Sequence, residues 1–335
     1  MDEFVYVKLL TNKKLIQRFV KDYSLPINIF EYDMFLYYKD LYSSFNGIFP
    51  TDAWNCLIDT VLNKFDGNVE KWLDYCGEVR DKAINEVKSS PEYDNFIKMD
   101  MAPYAHVSTV GEHSCYTGET HLKRFLSIDL RKANFQALKY VGAIKDATYE
   151  EFIKRMGGDD YIVGSKYLRQ VIFGNCNPSR QVTVEKHLID KARNYLQGAG
   201  HKWFDEHFKL FSANADEIVY IYDGNEEMGK VLGGCLRLEN EILSNTGVEV
   251  KCDFFSVEKL PIVNINGDGV DAYVKDSYFT YNGKTLKKAS TTFFPQIWKL
   301  WKGMEVGIND RKVYFENQLA TFDYPLMLKK DNGNV

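Results

Sequence analysis

Residues 124–138 read RFLSIDLRKANFQAL, a short apolar run that carries a single acid, Asp129, and then passes into a cationic, helix-compatible segment. The run predicts a strand made of Phe125, Leu126, Ile128 and Leu130, and the segment after it predicts a helix from Ala133 to Val141. An ionised carboxylate buried in such a strand costs several kcal/mol unless a cation or metal compensates it. Asp129 therefore either leaves the strand end toward water or has a partner, which makes it a candidate ligand.

The rest of the chain bounds what that acid can serve. With 335 residues the protein is long enough for two or three domains and a sizeable core. Its 22 Tyr and 22 Phe supply many planar rings, most of which core packing alone explains. A net charge of −5 argues against a protein that coats nucleic acid nonspecifically. Charge is uneven, however: Leu126 to Gly200 holds 12 Lys and Arg against 8 Asp and Glu, so the acidic excess lies in the flanks. A basic middle suits a phosphate channel and equally suits a solvated face. Six scattered cysteines without a CxxC pair, and an N-terminus without a basic leader, lead us to expect an intracellular, soluble protein, cytoplasmic or nucleoid-associated. No run approaches membrane-spanning length, so no membrane partner is expected.

Residues 1 to about 105 read as mainly helical, with Leu15, Ile16 and Phe19, then Trp54, Leu57, Ile58 and Val61, at helical spacing. Thr51 or Asp52 is the expected cap of the second of these helices. The loop from Met101 to Lys123 contains His106, His113, Cys115 and His121, which are zinc-ligand types in a spacing that fits no structural zinc pattern. Helices are predicted from Ala147 to Met156, ended by Gly157 and Gly158, and from about Tyr161 to Phe173. On the latter, Lys166, Arg169, Gln170 and Phe173 share a face. Two cations, an amide and a ring suit a clamp for a nucleoside triphosphate; an amphipathic surface helix with Phe173 in the core is the plainer reading. After a helix from Val184 to Leu196 come two short strands, 210–213 and 218–222, joined by a turn that carries Asp216 and Glu217. Turns favour Asn and Asp for local reasons, and paired acids at an apolar hairpin tip also suit a ligand. A helix from Glu226 to Leu243, a strand in VEVKCDFFSV, a turn at GDGVD (267–271), a hairpin about Asn282 and Gly283, and a packing face at Trp298 and Trp301 complete the chain.

Three separated elements resemble, in order, the palm and fingers of family A DNA polymerases. A strand ends in Asp129, where that family has a metal-binding Asp, and Asn134 stands five residues on, where the family has a Glu that excludes ribose. Arg169 followed by Phe173 and Gly174 resembles the Lys and Phe-Gly of the fingers helix, with Lys166 one turn earlier. Ala215, Asp216 and Glu217, followed by IVYIY, a helix and a last strand, resemble the His-Asp-Glu motif, with Ala in the His position. The likeness covers roughly residues 124–258.

The resemblance implies an α/β (α+β) fold with a polymerase-type antiparallel palm sheet and a fingers helix. A helical region at 1–123 would precede a core at 124–260, and a β-rich extension at 261–335 would follow. It implies a template-dependent nucleotidyltransferase, a DNA or RNA polymerase or a primase-like enzyme, that uses Mg2+ or Mn2+ in two-metal-ion chemistry. Asp129, Asp216 and Glu217 would be catalytic, with Asp129 and Asp216 as metal ligands. Lys166, Arg169, Gln170, Phe173 and Asn134 would bind nucleotide, and a primer and template would be the nucleic-acid partners. Ala215 and Asn134 favour an alternative, an inactive palm-derived nucleic-acid-binding or structural subunit. A metal-dependent nuclease also suits paired acids beside basic helices.

Overall fold

The computed structural model describes residues 3–105, 110–198, 201–279 and 283–329. Among them, the N-terminal hundred residues form the helices α1 (Glu3–Leu10), α2 (Lys13–Asp22), α3 (Tyr32–Leu41), α4 (Pro50–Phe65), α5 (Val69–Lys88) and α6 (Pro91–Lys98). Their predicted apolar stripes are buried, and Trp54 and Trp72 are enclosed. The expected cap of α4 is not realised. Phe49 takes the cap position and Pro50 the first turn, a place where a missing N–H costs nothing. Thr51 instead accepts a 3.0 Å hydrogen bond from Lys39 and donates to Asp40.

Strand β1 (Arg124–Leu130) follows, then α7 (Ala133–Tyr140), α8 (Tyr149–Arg155), α9 (Asp160–Gly164), α10 (Lys166–Gly174), α11 (Pro178–Leu196) and α12 (Lys202–His207). The hairpin β2 (Phe208–Ala213) and β3 (Glu217–Tyr222) leads through α13 (Met228–Thr246) to β4 (Val250–Lys259). The remainder holds β5 (Ile262–Val263), β6 (Tyr273–Ser277), β7 (Lys284–Lys287), α14 (Phe294–Trp301), β8 (Lys312–Phe315), β9 (Gln318–Thr321) and β10 (Met327–Leu328). The fold is mixed α and β, with 51% of the described residues in helices and 17% in strands.

A six-stranded sheet in the order β2-β3-β1-β4-β6-β7 organises this material, and all its pairings are antiparallel. β1 is central because its apolar run can be covered on both faces. Leu126, Ile128 and Leu130 face α11 and join the main core, and α13 packs on the neighbouring strand β4. Phe125 faces the other way and builds a smaller core with Val219, Phe255, Val257, Tyr273 and Cys115. The β6–β7 hairpin, assigned from sequence to a C-terminal extension, continues the same sheet; Asn282 at its predicted turn lies outside the described residues. Trp298 packs against Tyr42 and Phe45, which ties α14 to the N-terminal helices.

One predicted helix is broken. The segment from Tyr161 to Phe173 divides into α9 and α10 because Ser165 adopts an extended backbone and its Oγ accepts from the N–H of Leu168 at 3.0 Å. The same hydroxyl donates to Asp22 at 2.6 Å. Asp22, fully buried, also accepts from Arg18 at 3.0 Å and from Tyr161 at 3.0 Å. A satisfied buried carboxylate thus anchors the start of α10 to α2.

Candidate functional site

The antiparallel register sets Asp129 of β1 directly opposite Glu217 of β3 and, on the other side, Lys251 of β4. Asp216 is drawn to the same strand end, where its carbonyl accepts from the N–H of Leu130 at 2.8 Å. The turn before it is held by Asn214, whose Oδ1 accepts from the N–H groups of Asp216 and Glu217 at 3.2 and 2.9 Å. This is the local backbone role expected of Asn in a turn. The three acids named from sequence therefore converge at one end of the sheet.

Convergence has an electrostatic consequence. Burial, with Glu217 and Asp216 as close negative neighbours, pushes the Asp129 carboxyl up to about 7, against the opposing pull of Lys251 and Lys275. Glu217 is engaged by Ser127, whose Oγ donates to Oε1 at 2.5 Å. Among the described residues, no group of three or more His, Cys, Asp or Glu side chains is arranged to hold a metal ion. The donors present are hard carboxylate oxygens, and magnesium characteristically takes one or two of these and completes its shell with water and phosphate. A cation would also offset the repulsion from Glu217 and Asp216 that, with burial, raises the Asp129 carboxyl.

On the helical side, Asn134 in the first turn of α7 donates from Nδ2 to Glu185 Oε1 at 2.7 Å. Glu185 lies on α11, is 3% exposed, and has its carboxyl pushed up to about 7 by burial and by Asp216, with the Asn134 bond opposing the shift. Asn134 is thereby joined to the acid cluster through a residue that sequence reasoning missed. A signal was present: Gln181, Glu185, Ile189 and Ala192 follow the buried stripe of α11, so an acid occupies a core position, as Asp129 does in β1.

The expected nucleotide clamp on α10 is only partly assembled. Lys166 and Gln170 are exposed, and Arg169 lies 5.7 Å from the centroid of the Tyr149 ring and in the field of Glu150. Phe173 is a correction. Its ring is fully buried and stacks on Phe152 at 6.4 Å, beside Phe135 and Tyr149, so it offers no face to a base. Moving the helix start to Ser165 leaves Leu168, Ile172 and Phe173 as the buried stripe of α10.

The zinc-type residues have other roles. The Cys115 thiol is buried in the smaller core and pushed up to about 12 by burial, while His121 Nδ1 accepts from the N–H of Lys259 at 3.0 Å. His106 lies outside the described residues. The turn expected at GDGVD (267–271) falls just before it: Asn264 Oδ1 accepts from the N–H groups of Asn266 and Asp268, and the N–H of Gly267 donates to the Asn264 carbonyl, while Gly269 forms a bridge with Val263.

The open face of the sheet adds groups that local sequence did not single out. Asp253 of β4 pairs with Lys275 of β6 at 2.6 Å and accepts from Ser277 at 2.5 Å. Lys287 of β7 lies in the field of Glu217 and Asp253. No helix among the described residues is long and apolar enough to cross a membrane. Compared with family models, curated proteins and solved structures, the chain matches none of them.

Proposed function

We propose that this chain is a template-dependent nucleotidyltransferase, polymerase-like or primase-like, whose active site is the acid end of β1 and β3 in a palm-type sheet. The observation that carries the reading is the register that sets Asp129 against Glu217 and beside Asp216, on strands far apart in sequence. Nucleotidyl transfer is mostly positioning and charge neutralisation. Asp129 and Asp216 would hold Mg2+ or Mn2+, and the bound ion would neutralise charge on phosphoryl oxygens. Glu217, hydrogen-bonded to Ser127, would assist from the facing position on β3. Lys166, Arg169 and Gln170 are the side chains of α10 available to phosphate oxygens, and Phe173 serves by packing α10 against α8. Asn134, shorter than a glutamate and held by Glu185, leaves room for a 2′-hydroxyl. Primer and template would lie along the basic middle of the chain.

A catalytically silent palm is the second reading, favoured by the Ser127 bond to Glu217 and by the raised Asp129 carboxyl, both of which oppose cation binding. One assay separates the readings. The full chain is incubated with labelled primed and unprimed templates, ribo- or deoxynucleotides, and Mg2+ or Mn2+. Extension that falls on the order of a hundredfold or more in both Asp129→Asn and Asp216→Asn is the expected result. Shortening of the labelled strand would identify a nuclease instead, and an unchanged strand under every condition would favour the silent subunit.

A further inference from the structure

A cavity of about 110 Å³ lies between α11 and the turn that joins β2 to β3. Lys186, Asp190 and Arg193 stand at i, i+4 and i+7 on α11, so they share the helix face that forms one wall. Ala213 and Asn214 line it from the hairpin, where the small alanine side chain leaves room, and the buried Ile189 and Ile218 supply its apolar surface. Glu112, which is exposed, reaches it from the loop that precedes β1.

The hydrogen-bonding capacity left open around this cavity belongs mainly to donors. Arg193 Nη2 pairs with Asp190 at 2.6 Å, whereas Arg193 Nε is buried and has no partner among the described residues. Asn214 commits its Oδ1 to the N–H groups of Asp216 and Glu217, which leaves its Nδ2 to act elsewhere. Lys186 makes no hydrogen bond or ion pair among the described residues. Of the two acids, Asp190 is engaged by Arg193 and by Asn194, the latter at 3.3 Å, and the exposed Glu112 carboxylate is screened by solvent. A buried guanidinium N–H without an acceptor is unfavourable, and a ligand rich in acceptors relieves it.

We infer that this cavity is a phosphate site, in which Arg193 Nε, Lys186 Nζ and Asn214 Nδ2 donate to the oxygens of one phosphate group, inorganic or the terminal monoester of a nucleotide or strand. A tetrahedral oxyanion accepts several charge-assisted hydrogen bonds from such a set within a small volume. The cavity lies well below the roughly 300–1,000 Å³ that encloses a whole drug-sized ligand, so any attached nucleoside stays outside. Asn214 would then join two functions: its Oδ1 holds the turn of Asp216 and Glu217, and its Nδ2 meets the phosphate, so that occupancy braces the acid turn. The site uses none of the Asp129, Asp216 and Glu217 side chains and stands apart from the nucleotidyltransferase reading.

Calorimetric titration of the full chain with inorganic phosphate, without divalent metal, tests the inference. The wild type should bind saturably, and Arg193→Met and Lys186→Met should each weaken binding about tenfold or more. Glu112→Gln should bind at least as tightly as wild type, because it removes a repelling carboxylate. Lys98→Met, which removes an exposed lysine of α6 outside the cavity, should stay within about twofold. The inference is overturned if the wild type shows no saturable binding, if Arg193→Met or Lys186→Met binds like wild type, or if Lys98→Met is equally weakened. Weaker binding by Glu112→Gln, or acetate bound as tightly as phosphate, would also overturn it. Should Arg193→Met fail to fold by circular dichroism, Lys186→Met decides, since that side chain is exposed and its loss leaves the core intact. A short 5′-phosphorylated oligonucleotide and its dephosphorylated twin identify the source of the phosphate. Binding tighter than that of inorganic phosphate, and lost on dephosphorylation, assigns the terminal monoester; otherwise the ligand is free phosphate.

Discussion

Asn134 and Glu185, fifty-one residues apart, are joined by a 2.7 Å hydrogen bond in which the amide donates to a buried carboxylate. The bond ties α7 to α11 within the field of Asp216, whose negative charge Glu185 feels. A glutamate at position 134 would face Glu185 with a second carboxylate and no donor. Asn134→Glu is therefore expected to destabilise the protein by about 3–5 kcal/mol, the cost typical of an uncompensated buried charge. Adding Glu185→Gln should recover a good part of that loss. Urea unfolding of the two variants measures both effects. If the single variant proves active, its preference for deoxynucleotides over ribonucleotides should rise, and unchanged discrimination would remove Asn134 from sugar selection.

Stability should fall as pH rises through neutrality. Asp129 and Glu185 both have folded-state carboxyls raised to about 7, above the ordinary carboxylate range near pH 4. Raised acids bind protons more tightly when folded. Their contribution is complete below about pH 4 and is lost as pH climbs through about 7. Chemical unfolding of the metal-free protein should show this decline, and Asp129→Asn with Glu185→Gln should flatten it. A wild-type profile that rises across the same window would refute the assignment.

The Asp22 cluster should control α10. Ser165→Ala removes both the helix cap and a donor to Asp22, at an expected cost of about 1–2 kcal/mol. Asp22→Ala leaves Arg18 without its partner and should cost about 3–5 kcal/mol. Urea unfolding of both variants measures these costs, and a Ser165→Ala protein as stable as wild type would show that the cap does not anchor α10.

Phe173 separates packing from recognition. As a fully enclosed ring it should cost about 3–5 kcal/mol when cut to Ala. Phe173→Leu, which keeps most of the volume, should be milder and should leave the apparent affinity for nucleotide unchanged. A raised KM with unaltered stability in that variant would restore the ring-stacking role.

Local pattern in the sequence was enough for most of the elements. The 3.6-residue stripes gave the N-terminal helices, a short apolar run gave β1, turn residues between apolar runs gave the β2–β3 hairpin, and alternation gave β4, because each of these signals arises within one segment. Asp129 was legible for the same reason: an acid in an apolar run conflicts with its surroundings. The acid pair at 216–217 was legible as chemistry in a turn. Where helix 161–173 breaks was not, since Ser165 caps α10 while also bonding to an aspartate 143 residues away.

Tertiary structure alone decided what those acids meet. Pairing of β1 with β3 put Asp129 against Glu217, helix packing delivered Glu185 to Asn134, and the β6–β7 hairpin brought Lys275 and Lys287 to the same face. None of these neighbours lies near Asp129 in sequence, and the pKa of a carboxylate depends on charges and burial in space rather than along the chain. Residues 124–138 by themselves determined a strand, a helix and a misplaced acid. The sheet's register made that acid part of a cluster, because opposite positions on antiparallel strands bring side chains within a few ångströms whatever their separation in sequence.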